Sequence, residues 1–373
     1  MTHIVIAGIG QTPVGEHWEI SLRDLALQAM EAAMHEAGGL RPQALFVGNM
    51  LSPSLSHQAQ LGALLADYAG LKGIEAVTIE AAGASGGAAL RAGYLALLSG
   101  QVEAALVVGV EKFTDVIGPE VEGALSTASD ADFEAEQGLT LTAQAALLMR
   151  RYMHEHNVPP DGLAGFPVIA HANGATNEFA MFRRAISEET YRKAGMVSEP
   201  LNMFDAAPHA DGAAAVLLTR RDLLPDGFPH PLVEIAASAA ATDTLALHDR
   251  PDPLFFEAVY HSTGNALKQA GLTLDQIDLF EYHDLFSIYA ALSLESSGFA
   301  PRGRGWLMAR DGEIAPDGRL PCATMGGLKA RGFPGGATGL YQAVEATLQL
   351  RGQAGANQVE GARVALIQSL GGP

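Results

Sequence analysis

Three groups of residues have the types and spacing to do chemistry. Tyr282-His283-Asp284 sets a phenol, an imidazole and a carboxylate in a row, just after the apolar strand pattern Ile277 to Phe280. A histidine on the loop that ends a strand can act as a general base or as a hydrogen-bond donor to an oxyanion. The plainer reading is a hydrogen-bonded structural histidine, with Tyr282 alternating away from it into the core. Gly83-Ala84-Ser85-Gly86-Gly87 fits G-x-S-x-G, the strand-to-helix elbow that presents a serine nucleophile in hydrolases. Read otherwise, Ser85 ties down the first helical turn and the backbone N–H groups of the turn do the work, holding an anion or a developing oxyanion. Cys322 is the single thiol, placed before Thr324-Met325-Gly326, and is either a nucleophile or a buried inert side chain. Tyr152 and Tyr260 are further polar aromatics.

Positioning these groups requires an alternation of strands and helices. Ile4 to Ile9, Ala44 to Val47, Ala76 to Ile79 and Glu103 to Gly109 read as buried strands, with helices from Leu22, from Gln58 and from Ala88 to Leu98 between them. Glu111 to Asp132 reads as irregular, Leu141 to Glu155 as helix, and Asp211 to Leu218 as the strand completing a first half. The Pro- and Gly-rich stretch Leu223 to Pro231 is the expected linker, dividing the chain at 1–222 and 223–373. The second half repeats the first: Phe256 to Ala270, Gly271 and Ile277 to Phe280 parallel Leu22 to Ala37, Gly38 and Leu45 to Val47. Thr324 to Gly339, a helix to Leu348 and a strand Arg363 to Ile367 parallel the central turn, helix and strand. A duplicated α/β unit accounts for this, its second copy ending without a counterpart of Asp211 to Leu218.

Composition narrows the function classes. The chain of 373 residues is 48% hydrophobic and 17% charged, with 42 glycines, which is the profile of a large core with many close backbone approaches. The formal charge of -19 and the lack of a basic stripe disfavour nucleic acid and anionic membrane surfaces. One cysteine excludes an internal disulfide, no HExxH pair points to a metal, and the strand starting at Ile4 with no spanning apolar run gives a cytoplasmic expectation.

The duplicated halves and their Gly-rich turns resemble the thiolase superfamily, most nearly the archaeal and sterol-carrier-protein types, which are similar to acetyl-CoA acetyltransferases. The likeness runs through Gly8 to Thr12, Ile79 to Ala89, Val107 to Lys112, Arg151 to Glu155, Asn177 to Arg183, Asp211 to Ala215, His283 to Phe286, Gly326 to Ala330 and Gly335 to Gly339. It implies an α/β thiolase fold: two halves, each with a mixed five-stranded type of sheet, stacked through central helices, and an excursion at about 111–182 over the acyl-CoA. It also implies at least a dimer, with Glu103 to Gly109 as a candidate pairing edge. A small partner carrying a zinc ribbon and an oligonucleotide-binding-like barrel is implied as well, with a coenzyme A thioester as substrate and no bound cofactor or metal.

By the same resemblance the catalytic side chains are missing. Gly83 stands at the position of the nucleophilic cysteine, and Phe333, in Gly332-Phe333-Pro334, at that of the histidine that activates it; Ala323 and Leu285 replace a family asparagine and a second cysteine. Glycine accepts no acyl group and phenylalanine relays no proton, so a cysteine acyl-enzyme is not expected. The expected catalytic groups are His283 and Tyr282, with Gly83, Ala84 and Gly371 as oxyanion donors and His171, Asn177, Arg183, Gly326 and Gly327 as substrate contacts. Asn173, Phe182 and Arg184 share that excursion, and His209 stands where the family has a small apolar residue. Two functions follow: cleavage of a 3-hydroxyacyl-CoA in retro-aldol fashion, as certain thiolase-like aldolases perform it, or an inactive subunit supporting a multiprotein acyltransferase complex.

Overall fold

The computed structural model describes residues 2–373. Strands are β1 (Ile4–Gln11), β2 (Ala44–Gly48), β3 (Glu75–Ile79), β4 (Ala104–Glu111), β5 (Met196–Ser198), β6 (Leu201–Asn202), β7 (Gly212–Arg220), β8 (Leu279–Glu281) and β9 (Ala365–Ile367). Helices are α1 (Leu22–Glu36), α2 (Ser52–Leu55), α3 (Leu61–Tyr68), α4 (Ser85–Leu98), α5 (Gly118–Ser126), α6 (Leu141–His156), α7 (Gly165–Gly174) and α8 (Glu188–Arg192) in the first part of the chain. The later ones are α9 (Glu257–Ala270), α10 (Ser287–Ser296), α11 (Gly305–Arg310) and α12 (Thr338–Leu350).

The first half is built on a mixed sheet in the order β1-β7-β4-β2-β3, parallel across β4, β2 and β3 and antiparallel where β7 meets β1 and β4. Alternation sorts its side chains into two apolar layers. Leu45, Val47, Leu106, Val108, Ala213, Ala215 and Leu217 pack against α1 and α3. Phe46, Ala105, Val107, Ala214, Val216 and Leu218 face Ala89, Leu90 and Leu97 of α4 and Leu340, Tyr341 and Val344 of α12. A sheet covered on both faces requires continuous apolar strands, which is why β4 reads Ala-Ala-Leu-Val-Val-Gly-Val.

That burial corrects one expectation: β4, expected as a pairing edge, is the middle strand, and the free edge is β3, with Glu75, Val77 and Thr78 exposed. Glu111 to Asp132, expected to be irregular, contains α5, and α4 starts at Ser85 instead of Ala88. In the second half the paired strands are β8 and β9, parallel, with an isolated bridge from Phe280 to Cys322; this is a smaller sheet than a copy of the first would give. The chain after the first half runs back along β1, with Ile6 N–H bonded to Val233 O and Ile235 N–H to Ile4 O at 2.9 Å each.

The helices α4 and α12 meet at their N-terminal ends through glycines. A Cβ on Gly339 would lie 2.4 Å from Gly87 N, and one on Gly86 would lie 2.8 Å from Gly336 O. Only bare backbone permits this approach, and it brings the two strand-to-helix turns of the duplicated halves together. No helix among the described residues is long and apolar enough to cross a membrane.

Candidate active site

The central turn is held by its own backbone. Ala82 adopts φ +47°, an uncommon conformation for a residue with a side chain, and its N–H is taken by Glu80 Oε1 at 2.6 Å. A single 3₁₀ turn, Ala82 to Ala84, then runs into α4. Ser85 Oγ donates to Ala82 O at 2.6 Å and accepts from Ala81 N–H at 2.9 Å, so the serine ties down the turn; with both contacts made and no exposure it is no elbow nucleophile. Ala84 N–H is spent on Ala81 O at 2.9 Å, which corrects its expected role as an oxyanion donor. Gly83 N–H and Gly371 N–H have no acceptor among the described residues.

His283 faces Gly83. A Cβ built on Gly83 would lie 3.0 Å from His283 Cε1 and 3.3 Å from Nε2, and 2.8 Å from Leu370 O. The tail of the chain therefore crosses the turn; a Cβ on Gly371 would likewise lie 2.6 Å from Ala81 O. Neither ring nitrogen of His283 has a partner among the described residues, and Nδ1 is sealed from solvent, which leaves Nε2 as the atom presented at Gly83. Burial, with the Arg331 guanidinium nearby, pulls the His283 pKa down to about 3, so the imidazole is neutral at neutral pH. A neutral imidazole beside two free N–H groups is equipped to hydrogen-bond an oxyanion without bringing a charge.

Phe333 closes the other side. It is buried, with its ring edge-on to His283 (5.9 Å, 81°) and tilted against Phe113 (6.2 Å) and His209 (6.2 Å). Behind these groups sits a buried charged layer. Arg331 pairs with Glu345 at 3.1 Å, Lys329 Nζ donates to Asp205 O at 2.7 Å, and Asp284 accepts from Leu328 N–H at 2.8 Å. Gln342 of α12 donates to Tyr282 O at 2.9 Å and Gln368 O at 2.8 Å, which ties the strand before His283 to the tail that carries Gly371.

The remaining candidates lie elsewhere. Tyr282 packs edge-on against Phe280 (5.6 Å) and Phe166 (6.5 Å), and burial pushes its phenol well above the usual range; the structure does not bring it to Gly83. Cys322 is fully buried with its thiol donating to Leu320 O, and its pKa is raised by burial, so it is not a reactive thiolate. Asn177 spends its amide on Met325 O and Phe179 N–H. Gly326 and Gly327, at φ +107° and +53°, serve close packing on Gly174 and Asp284. Among the described residues, His171 is buried between Phe182 and Phe204 with Nδ1 unpartnered, and Arg183 is exposed without an ion pair. Phe113 escaped sequence reasoning, because an aromatic two residues past a strand carries no chemical signature. Two surface cavities, of about 630 and 450 Å³, lie along α6, and neither is lined by Gly83, His283 or Phe333.

Comparison with known proteins agrees with this architecture. Residues 4–222 match the thiolase N-terminal domain, and residues 239–373 match a thiolase C-terminal domain-like family. The chain belongs to the thiolase family. It is 42% identical over 374 residues to a protein named acetyl-CoA acetyltransferase from Methanothermobacter thermautotrophicus, covering 100% of this chain and 97% of the relative. A Methanocaldococcus jannaschii protein of the same name is 35% identical, covering 94% and 90%. Sterol carrier protein 2 of Oryctolagus cuniculus is 25% identical over 100% of this chain and 70% of its own length. Among solved structures, one named Ltp2-ChsH2(DUF35) aldolase superposes with a TM-score of 0.83 at 24% identity, covering 98% of this chain and 94% of that one, a likeness of fold.

Proposed function

We propose that this protein acts on an acyl-CoA thioester without a cysteine acyl-enzyme, cleaving a 3-hydroxyacyl-CoA between Cα and Cβ in retro-aldol fashion. The reading is carried by His283 Nε2 lying 3.3 Å from where a Cβ of Gly83 would be, at a position with no nucleophilic side chain, with the N–H groups of Gly83 and of Gly371 on the crossing tail left without acceptors among the described residues. Three uncharged donors can stabilise the enolate oxygen left when the C–C bond breaks, a reaction that needs no thiolate. The fold likeness to a structure named as an aldolase supports the same reading, and the acetyltransferase name of two relatives supports the thioester substrate. Arg183, exposed and unpaired, offers a cation to the phosphates of coenzyme A.

In this reading the chain self-associates through the free edge of β3. It also takes a small partner of zinc-ribbon and oligonucleotide-binding-like type, to which the acidic surface suits a basic face. The partner proposal draws support from the aldolase structure, whose name joins Ltp2 to ChsH2(DUF35). The protein, purified with whatever subunits it retains, is incubated with 3-hydroxyacyl-CoA esters, and the shortened acyl-CoA and free carbonyl are measured by mass spectrometry. Cleavage that falls at least about 100-fold in His283→Ala supports the reading; an acylated side chain in the parent protein overturns it.

A second reading has one observation behind it: Gly83, His283 and Phe333 are all buried and line neither surface cavity. A buried centre without a nucleophilic side chain suits a non-catalytic subunit of an acyltransferase complex. Failure of both the chain and its complexes to bind coenzyme A by calorimetry decides for this second reading.

A further inference from the structure

His209 lies outside the donor set just described, on the segment that precedes β7. Its position is fixed by backbone bonds: Phe333 N–H donates to Pro208 O at 2.8 Å and Ala210 N–H to Phe333 O at 3.1 Å, so His209 and Phe333 lie side by side. The imidazole stacks on Phe113 (5.4 Å, 21°) and tilts against Phe333, whose ring meets His283 edge-on at 5.9 Å. Two histidines thus lie against one aromatic ring, one of them facing Gly83.

Their environments differ in a way that separates their roles. His283 has a sealed nitrogen and a single presented one. His209 is half-buried, and neither of its nitrogens is hydrogen-bonded or sealed from solvent. The nearest carboxylate in sequence, Asp211, is consumed by Lys112, Thr114, and the N–H groups of His17, Phe113 and Thr114, which leaves it nothing for His209. Nothing in the packing requires an imidazole here; an aromatic hydrocarbon would stack on Phe113 as well.

We infer that His209 is the catalytic residue that takes the 3-hydroxyl proton of the substrate. The inference rests on the retro-aldol reading and assigns the one role that reading leaves unfilled. The free imidazole nitrogen accepts the proton; the O–H electron pair forms the new C=O; the Cα–Cβ bond breaks and its pair moves into the thioester as an enolate held by Gly83, Gly371 and His283. The imidazolium then returns the proton to Cα, releasing the shortened acyl-CoA and an aldehyde or ketone, so no further reactant is needed. The surrounding rings keep His209 neutral at neutral pH, with its pKa pulled to about 4 by burial, and thus in the form that can accept.

The test compares His209→Ala, His209→Gln and the parent protein, each checked for thermal stability and for binding of the product acyl-CoA. The expected result is a kcat about 100-fold or more lower in both variants, with KM and product binding unchanged, and partial restoration of His209→Ala by added imidazole. Glutamine fills most of the space but takes no proton, so a merely structural role would leave its kcat near that of the parent. Cleavage at the parental kcat in either folded variant overturns this inference and leaves the retro-aldol reading standing. No cleavage by the parent protein in its native assembly overturns both.

Discussion

Adding one methyl group at Gly83 tests whether the tail and His283 occupy the place of a side chain there. Gly83 is not in the left-handed region, so alanine brings no backbone strain, and a Gly→Ala change near a helix start would by itself stabilise by about 0.4–1 kcal/mol through the unfolded chain. Here the new Cβ would lie 2.8 Å from Leu370 O and 3.0 Å from His283 Cε1, and the first of these is backbone, which cannot swing aside as a side chain does. Overpacking of this kind costs about 1–3 kcal/mol, which exceeds the entropic gain. Gly83→Ala is therefore expected to lower Tm by several degrees, at roughly 2–4 °C per kcal/mol. The control is Gly87→Ala one turn along α4, where the nearest atom, Ser369 Oγ at 3.3 Å, belongs to a side chain, and Tm should hold or rise. Differential scanning calorimetry of both variants decides the matter. A Gly83→Ala protein as stable as the parent refutes the geometry argued for the site. By the same reasoning Gly83→Cys should not create a thiolase unless residues 369–371 are displaced.

Three further outcomes follow from the buried charges and the free strand. His283 and His209 have folded pKa values of about 3 and 4, below the ordinary 6.5, so the unfolded chain binds more protons between those limits; stability is complete above about pH 6.5 and is lost as the pH falls toward 3. His209→Gln should flatten the Tm-versus-pH slope between about pH 4 and 6.5, and an unchanged slope would count against the neutral state assigned to it. Glu345→Leu leaves the Arg331 guanidinium buried without its partner and should cost about 3–5 kcal/mol, whereas Arg331→Met with Glu345→Leu should cost much less in urea unfolding. Val77→Lys places a charge on the exposed β3 edge and should shift the protein toward monomer in light scattering, while changing the stability of the monomer by no more than about 0.5 kcal/mol.

Much of this protein is written locally. Continuous apolar runs such as that of β4 announce strands buried on both faces, and Gly83 to Gly87 announces a tight strand-to-helix turn, because period and glycine content are properties of neighbouring residues. His283 was a candidate through the family resemblance, a histidine after a strand being by itself a weak signal, whereas Ser85 was legible as a turn-former from its place before a helix. The order of the strands was not legible: β4 looks the same in sequence whether it lies in the middle or at an edge, and only pairing with β7 and β2 decides. Nor could the sequence say which N–H groups stay free. Ala84 and Gly83 are adjacent, yet one donates to Ala81 O and the other to nothing, a difference created by the φ of Ala82 and the 3₁₀ turn after it. The meeting of His283 with Gly83 and Phe333, and of Gly83 with the Leu370 backbone, joins segments far apart in the chain. It exists because glycine-to-glycine contact lets α4 and α12 cross closely enough to bring two distant turns into one site.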